Sequence, residues 1–487
     1  MLLVLAVLFV LACTACHRSA PHDGPIVLIT FESLRPDALG PLGGPPGLMP
    51  HLEALAREAD WVGRGIAPSS GSIPALSTLL TGLRPWLHQA IHEGRPGLSP
   101  DLVTLAEALH DRGYTTAGYP GDPWAQEVFG DEQGFDAFTR LGRGRRALDR
   151  LRNLGSGRHF VWVHLPEPGI PYVRRDEYLA RLGPGAPNLP RRIGAAQLEP
   201  FFDPATPLSP GLRRRFLSMY RLNAAWADDR LGELLGALKA SGQWNRTLLV
   251  VTSIHGEEIG EHGQILHGGN LGRAALEVPL LIKLPKGGPL RLRPAATQRV
   301  ATARIWATLV EAAGGEPLPA AAPSLFRDAP AEVLSELYLT NGTNRFSLVD
   351  GDLQLLQESR FAPPEPDYFQ VRQELLRPRP KAAHGRPGPP VTAPAAFTRL
   401  TAAFTTVPPF TGDGADARGF RLERWLPGGG TAPVEDPRAS AEMARRLAAE
   451  WHRFVPDEQS PGGEAAEWSG PEEHHHGRWR KGGRGAR

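Results

Sequence analysis

Three polar side chains of different chemistry lie next to three separate structured segments of the chain. The carboxylate of Glu32 and the imidazole of His255 follow apolar runs, and the hydroxyl of Ser72 comes just before Pro74. Proline is common at a first helical position, so Ser72 is predicted to sit directly ahead of a helix N-terminus. Free N–H groups and the positive end of the helix dipole stabilise an alkoxide or an incoming oxyanion there. If the segments meet, a carboxylate, a hydroxyl and an imidazole form one reactive cluster.

Each of these residues also has a purely structural interpretation. Serine is a good N-cap, so Ser72 could do no more than cap the helix that follows it. Glu32 could be the partner of a helix N-terminus. His262 and His267 lie in a Gly-rich segment, and histidines in such loops are often exposed without a function. Further polar residues near the three segments are candidate accessory or catalytic groups: Asp37, Glu257, Glu258, His262 and His267.

Apolar runs that alternate with helical patterns must position these groups. The runs at 26–31, 115–119, 160–164, 248–252 and 278–284 are predicted to be strands buried on both faces. Helices are predicted between them, at 51–60, at 102–109 with Asp101 as the cap, and at 212–240. This order is typical of a mostly parallel sheet with helices on both faces, in which sites lie at the carboxyl ends of strands.

Composition excludes several classes of protein. Of 487 residues, 41% are hydrophobic and 22% charged, so the chain can bury a sizeable core and is neither fibrous nor globally disordered. The formal net charge is only +2 and the basic residues are dispersed, so bulk charge does not favour nucleic acid as a partner. An anionic ligand would have to be held by a local site.

The N-terminus has the character of an export signal. Residues 1–16 are almost entirely apolar, too short to span a bilayer, and end in the only two cysteines, Cys13 and Cys16. Alanine before each cysteine resembles a bacterial lipobox, which predicts a lipid-anchored protein of the cell envelope. The alternative is a plain cleaved signal, with the protein periplasmic or extracellular.

The alternation of apolar runs and helical patterns ends at about residue 318. We expect a main domain at 24–318, a small C-terminal α+β subdomain at 319–455 and a disordered tail at 456–487. The subdomain should contain a hairpin around Asp350 and Gly351, a Pro- and Ala-rich insertion at 361–412, and a last helix at 439–454. The histidines at 474–476 could bind a metal loosely, but a solvated tail is the simpler interpretation.

Taken in order, several motifs resemble the sulfatase branch of the alkaline-phosphatase superfamily. The resemblance covers roughly residues 25–315. Its motifs are VLITFESLRPD at 27–37, PALSTLLTG at 74–82, TLAEALHDRGYTTA at 104–117, SIHGEEIGEHG at 253–263 and VPLLIKLP at 278–285.

The resemblance implies a three-layer α/β sandwich and the hydrolysis of a sulfate or phosphate ester. It implies one divalent metal ion (Ca, Mg, Mn or Zn) held by Glu32 and His255, Ser72 as the nucleophile, and His267 in contact with a substrate oxygen. The implied substrate is a sulfated or phosphorylated small molecule or glycan.

The sequence also departs from the family pattern. Ile254 stands where the family has a metal-binding Asp. Gly169 stands where the family has a His two residues before Pro-Tyr, or that His is displaced. The segment at 72–76 lacks the Arg that supports formylglycine, so an unmodified Ser72 is expected. Two hypotheses remain: a metal-dependent ester hydrolase or transferase, which we favour, and a catalytically degenerate lipoprotein that binds anionic glycans.

Overall fold

An eight-stranded sheet forms the centre of the molecule. A computed structural model describes residues 21–91, 98–121, 130–183, 188–202, 206–339, 343–360, 420–426 and 431–452. The strand order in the central sheet is β12-β2-β11-β8-β1-β5-β3-β4. These strands are β1 (Ile26–Phe31), β2 (Trp61–Ile66), β3 (Thr115–Pro120), β4 (Ala137–Phe138), β5 (His159–Leu165), β8 (Leu248–Ser253), β11 (Glu277–Lys283) and β12 (Val300–Ala301).

The sheet is mostly parallel, as the alternation of strands and helices predicts. β1 pairs in parallel with β5 on one side and with β8 on the other, and β3 pairs in parallel with β5. β11 is the exception in this sheet, since it runs antiparallel to both β2 and β8.

Helices connect or follow the strands of the main domain. They are α1 (Pro50–Glu58), α2 (Ser72–Thr81), α3 (Pro85–His88), α4 (Leu105–His110), α5 (Arg145–Arg152), α6 (Ala195–Leu198), α7 (Pro210–Ala240), α8 (Arg273–Leu276) and α9 (Arg304–Ala312).

Alternating side chains of the central strands supply two separate cores, one on each face of the sheet. Val27 and Ile29 point into a core built with α1, α5 and α7, whereas Ile26 and Leu28 point into a core built with α2, α4 and α9. The result is the expected three-layer sandwich.

Short elements make up the loops around the central sheet. Two small antiparallel ribbons pair β6 with β7 and β9 with β10. Their strands are β6 (Tyr172–Val173), β7 (Arg192–Ile193), β9 (Glu258–Ile259) and β10 (Ile265–Leu266), and the 3-10 turns are Pro36–Ala38, Gly40–Leu42, Asp176–Leu182, Glu199–Phe201, Trp244–Arg246 and Glu261–Gly263.

A second, five-stranded antiparallel sheet follows the main domain, in the order β13-β14-β15-β16-β17. The predicted hairpin is present, with Asp350 pairing with Leu353 across a turn in which Gly351 has a positive φ of 59°. The last helix packs on this sheet through Met443 and Leu447. The elements are β13 (Val333–Tyr338), β14 (Thr343–Asp350), β15 (Leu353–Arg360), β16 (Phe420–Trp425), β17 (Thr431–Pro433) and α10 (Pro437–His452).

Two helix starts differ from the sequence prediction. α4 is capped by Thr104, whose side chain and that of Glu107 form a reciprocal capping box, and the expected cap at Asp101 is wrong. α2 begins at Ser72 itself, with Gly71 as the N-cap residue and Pro74 at the third helical position. Ser72 therefore belongs to the first helical turn.

Several predictions concern residues outside the part of the chain that the structure describes. They are the export signal with Cys13 and Cys16, the insertion at 361–412, the tail at 456–487 and the histidines at 474–476. Among the described helices, none combines the length and apolar character needed to cross a bilayer.

Candidate active site

The register of three neighbouring strands brings the predicted residues together. Phe31, the last residue of β1, lies opposite Leu165 of β5 and Ser253 of β8. Parallel strands therefore end level with one another, and the residues that follow β1 and β8 emerge at the same edge. Glu32 and His255 are these residues, and both side chains are buried.

Helix α2 points its N-terminus at this edge. All ten of its residues are buried, so the helix is held firmly on the sheet. The Ser72 hydroxyl does not cap the helix: its Oγ lies 2.5 Å from Glu32 Oε1, 3.0 Å from His255 Nε2 and 3.5 Å from His267 Nε2. The capping interpretation of Ser72 is therefore wrong, and the hydroxyl lies between a carboxylate and two imidazoles.

Glu32 is oriented by a line of hydrogen bonds from inside the sheet. The Trp162 indole donates to Thr30 Oγ1 over 3.0 Å, and Thr30 Oγ1 lies 2.8 Å from His164 Nδ1. His164 Nε2 lies 3.1 Å from Glu32 Oε2 and must donate, because an ionised carboxylate only accepts. Burial alone would raise the pKa of Glu32, but opposing effects, of which the hydrogen bond from His164 is the largest, outweigh it and hold that pKa well below its ordinary value.

His267 reaches the cluster from the loop after β10. Its ring lies against that of His255, with centroids 4.1 Å apart, and its Nδ1 is 2.9 Å from Glu257 Oε1. Glu257 is fully buried and accepts a second hydrogen bond of 2.9 Å from the Tyr172 hydroxyl. Burial, followed by the Glu257 charge, raises the pKa of Tyr172 well above its ordinary value, so this hydroxyl remains a donor.

The ligand geometry of this cluster suits a metal ion. Glu32, His255 and His267 each offer one ligand atom, and these three atoms lie within 4.8 Å of one another. The chemistry of the donor set is one carboxylate oxygen and two imidazole nitrogens, which divalent cations bind. The residues present therefore fit a metal ion.

The cluster is open towards solvent on the His267 side. The His267 side chain is 19% exposed, whereas Ser72 is only 1% exposed. Gly169 closes another side: a Cβ added there would lie 2.9 Å from the Pro166 carbonyl oxygen and 3.1 Å from Glu32 Cγ. Position 169 therefore has no room for a side chain against Glu32.

The remaining sequence candidates lie elsewhere. Asp37 is paired with the Arg35 guanidinium at 2.7 Å and does not join the cluster. Glu258 is buried in β9, and His262 belongs to the turn Glu261–Gly263, although its side chain is outside the described part of the structure. Ile254 packs into the same apolar core as α2, so it supplies no ligand.

Sequence reasoning missed His164, Thr30 and Tyr172. His164 sits near the end of a strand that was predicted correctly, one position before the last residue. A histidine near the end of a strand is expected close to a site at the carboxyl ends of the strands, so His164 could have been predicted from the sequence. The Tyr172 contact with Glu257 joins residues 85 positions apart and left no local pattern.

The C-terminal sheet holds both loops that carry the site. The Ser335 hydroxyl and the Glu336 backbone N–H donate to the carbonyls of Ala67 and Pro68, over 2.7 Å and 2.8 Å, in the loop before Ser72. The side chains of Gln354 and Arg345 donate in turn to the carbonyls of Leu271 and Gly269, just beyond His267.

The chain belongs to the sulfatase family, because the sulfatase family model matches residues 25–153 and 145–315, more than half of its length. Members of this family depend on a metal ion, and the described residues include a candidate metal site.

Comparisons with individual proteins agree with this assignment. The ulvan-active sulfatase of Formosa agariphila is 25% identical over 299 residues, covering 56% of this chain and 58% of that protein. The iduronate 2-sulfatase of Mus musculus is 25% identical over 177 residues, covering 32% of this chain and 31% of that protein. The chain thus aligns with less than two thirds of either relative.

Solved structures show the same fold. A 2-O GAG sulfatase matches with a TM-score of 0.56 at 15% identity, covering 69% of this chain and 83% of that one. The phosphonate monoester hydrolase of Agrobacterium radiobacter matches with a TM-score of 0.52 at 19% identity, covering 72% and 94%.

Proposed function

We propose that this protein hydrolyses sulfate or phosphate esters with unmodified Ser72 as the nucleophile. The observation that carries the proposal is the position of Ser72 Oγ, 2.5 Å from Glu32 Oε1 and 3.0 Å from His255 Nε2, at the N-terminus of a buried helix. A hydroxyl between a carboxylate and an imidazole is placed to lose its proton, and the helix dipole stabilises the alkoxide that results.

The metal requirement belongs to the same proposal. Glu32 and His255 are the residues assigned to hold a divalent cation. When bound, the cation supplies Lewis-acid polarisation of the ester oxygens and lowers the pKa of the nearby hydroxyl.

Hydrolysis proceeds through a covalent ester of Ser72. Ser72 Oγ forms a bond to the sulfur or phosphorus, its proton passes to a water at the open side of the cluster, and the bond from sulfur or phosphorus to the ester oxygen breaks. The leaving oxygen takes that proton from the water and departs as an alcohol. A second water then attacks the sulfur or phosphorus, the bond to Ser72 Oγ breaks, one proton of the attacking water passes to Ser72 Oγ, and hydrogen sulfate or hydrogen phosphate is released.

The substrate class is proposed from the relatives. One neighbouring structure is described as a complex with its substrate, D-glucosamine-2-N,6-O-disulfate, and another as a complex with a neocarrahexaose. A sulfated or phosphorylated glycan, or a small ester, is therefore the proposed substrate. Attachment to the bacterial cell envelope through a lipid on Cys13 or Cys16 is part of the same proposal and is supported only by the sequence.

A binding protein without turnover is the second candidate, and two observations favour it. Ile254 fills an apolar core where the family has a metal-binding Asp, and Gly169 leaves no room for a side chain above Glu32. Under this proposal the protein retains anionic glycans without cleaving them.

An assay of the lipid-free protein on aryl sulfate and aryl phosphate, with Mn, Ca or Zn added, separates the two candidates. Turnover that Ser72→Ala reduces by at least about 10³-fold supports the hydrolase. Rates equal to buffer with every metal discard it, and glycan retention by the same sample would then favour the binding protein.

A further inference from the structure

We propose that His267 is a third metal ligand beside Glu32 and His255, and that the site selects Zn²⁺ over Ca²⁺ and Mg²⁺. This assignment replaces the substrate contact that the resemblance implies for His267. It deepens the proposed function and rests on it in placing a metal ion at this site. The supporting observation is the direction in which each ligand atom presents its proton or lone pair.

The proton of the His255 ring is fixed by its own backbone. Nδ1 lies 2.9 Å from the carbonyl oxygen of Gly256, which can only accept, so Nδ1 carries the hydrogen. In the neutral ring Nε2 then presents a lone pair. That lone pair faces Ser72 Oγ at 3.0 Å and Glu32 Oε1 at 3.3 Å.

The proton of the His267 ring is fixed by a buried carboxylate. Nδ1 lies 2.9 Å from Glu257 Oε1, and the other oxygen of Glu257 accepts from Tyr172, so the carboxylate is an acceptor held in one orientation. Nδ1 therefore donates, and the Nε2 lone pair faces Ser72 Oγ. A carboxylate that accepts from the distal ring nitrogen is the usual support of a metal-binding histidine.

Glu32 supplies the third ligand atom, and only one of its two carboxylate oxygens points into the cluster. Its Oε2 receives the His164 hydrogen bond of 3.1 Å, so Oε1 is the oxygen that points to Ser72 and His255. Three acceptor atoms, Glu32 Oε1, His255 Nε2 and His267 Nε2, thus converge on one hydroxyl. One hydroxyl proton cannot satisfy three acceptor atoms. A metal cation bound by all three satisfies them, and without a cation a proton on His255 would be needed.

The donor set decides which cation. Ca²⁺ and Mg²⁺ take oxygen ligands almost throughout, whereas two imidazoles and one carboxylate make up a typical catalytic zinc site that keeps a fourth position open. Ile254 lies in an apolar core and supplies no oxygen ligand, and His267 brings the number of protein ligands to three with a nitrogen. This donor set therefore favours Zn²⁺ over oxygen-seeking cations.

The test measures metal binding by the whole protein without substrate. Chelator-treated protein is titrated with Zn²⁺ by calorimetry and with Co²⁺ by visible absorption, for the wild type, His267→Ala, Glu257→Gln and the matched control His51→Ala. We expect one Zn²⁺ per chain, and a loss of affinity of at least about 10-fold in His267→Ala and about 10-fold in Glu257→Gln. His51→Ala should bind as the wild type, and millimolar Ca²⁺ or Mg²⁺ should not displace Zn²⁺.

Three results would overturn the proposal: Zn²⁺ affinity unchanged in His267→Ala, displacement of Zn²⁺ by Ca²⁺, or no Zn²⁺ bound by the wild type. His267→Asn is a second variant if His267→Ala loses its circular dichroism spectrum. The outcome is separate from that of the hydrolase proposal. Zn²⁺ bound through His267 without turnover rejects only the hydrolase, and turnover with unchanged Zn²⁺ affinity in His267→Ala rejects only the ligand assignment.

Discussion

Within the part of the chain that the structure describes, two clusters combine carboxylate with histidine at ligand distance, and they differ in what the carboxylates already bind. The first contains Glu32, His255 and His267, and the second contains His51, Asp228 and Asp229. In the second cluster Asp228 accepts the backbone N–H groups of His51 and Leu52 at the start of α1, over 2.9 Å and 2.8 Å.

A cation also lies against the second cluster. The Arg181 guanidinium is 2.7 Å from Asp229, and the Tyr178 hydroxyl donates to the same side chain over 2.9 Å. The carboxylates there are occupied by N–H and O–H donors. In the first cluster lone pairs point inward at one hydroxyl. Spacing alone therefore does not identify a metal site, and the direction of the protons does.

Neutralising one carboxylate in each cluster should produce the largest difference between the two clusters. Glu32→Gln should lower kcat by at least about 10³-fold and abolish Zn²⁺ binding, because Lewis-acid stabilisation supplies several kcal/mol. Asp228→Asn keeps an acceptor for the helix N-terminus and should leave both quantities unchanged. Metal titration and initial rates measure the two effects, and equal losses in both variants would contradict the distinction.

Ile254→Asp tests whether a carboxylate at position 254 can reach a metal ion in the first cluster. Without metal, a carboxylate placed in the core beside α2 is unpaired, so the free energy of unfolding should fall by about 3 kcal/mol. Added Zn²⁺ should restore part of that loss if the new carboxylate reaches the ion. Urea unfolding with and without Zn²⁺ measures this, and the same midpoint shift in both conditions would show that position 254 faces away from the metal.

Glu261 is a carboxylate outside both clusters, and arginines pair with it as Arg181 pairs with Asp229. Burial alone would raise the pKa of Glu261, but Arg35, the Ile259 N–H and Arg213 outweigh it and lower that pKa to about 2. The charged form then stabilises the fold above pH 4.5. About 2 kcal/mol of stability should disappear as the pH falls from about 4.5 towards 2.

Unfolding midpoints of wild type and Glu261→Gln across this range provide the measurement for Glu261. The two proteins should differ at neutral pH and converge in acid. A difference that does not change with pH would exclude the titration of Glu261 as its cause.

The smallest expected effect is that of His51→Ala. His51 is half exposed and its Nε2 lies 3.8 Å from Asp229, too far for a hydrogen bond. Stability should change by no more than about 0.5 kcal/mol, as thermal unfolding can show, and the metal content of purified protein should not change. A lower metal content in this variant would make the second cluster a metal site after all.

The sequence predicted the scaffold well because buried parallel strands are long, apolar and separated by helical patterns. The positions of Glu32, Ser72 and His255 follow from strand ends, so their meeting was also predictable. The orientation of each ring was not, because it depends on partners such as Tyr172 and His164 that only the strand register brings into contact. The capping box of α4 is visible in the sequence as Thr104 followed three residues later by Glu107, and it is a stronger helix-start signal than Asp101.

Because the C-terminal sheet donates hydrogen bonds to the site loops, the main domain cannot be separated from it without loss of contacts at the site. The family match ends at residue 315, yet Ser335 and Gln354 lie beyond it and tie down the segments on either side of the reactive cluster. A fragment ending near residue 318 would keep Glu32, Ser72, His255 and His267 and would lose the hydrogen bonds that hold the loops on either side of them. Reactivity could thus be tuned from a part of the polypeptide that contributes no chemistry of its own.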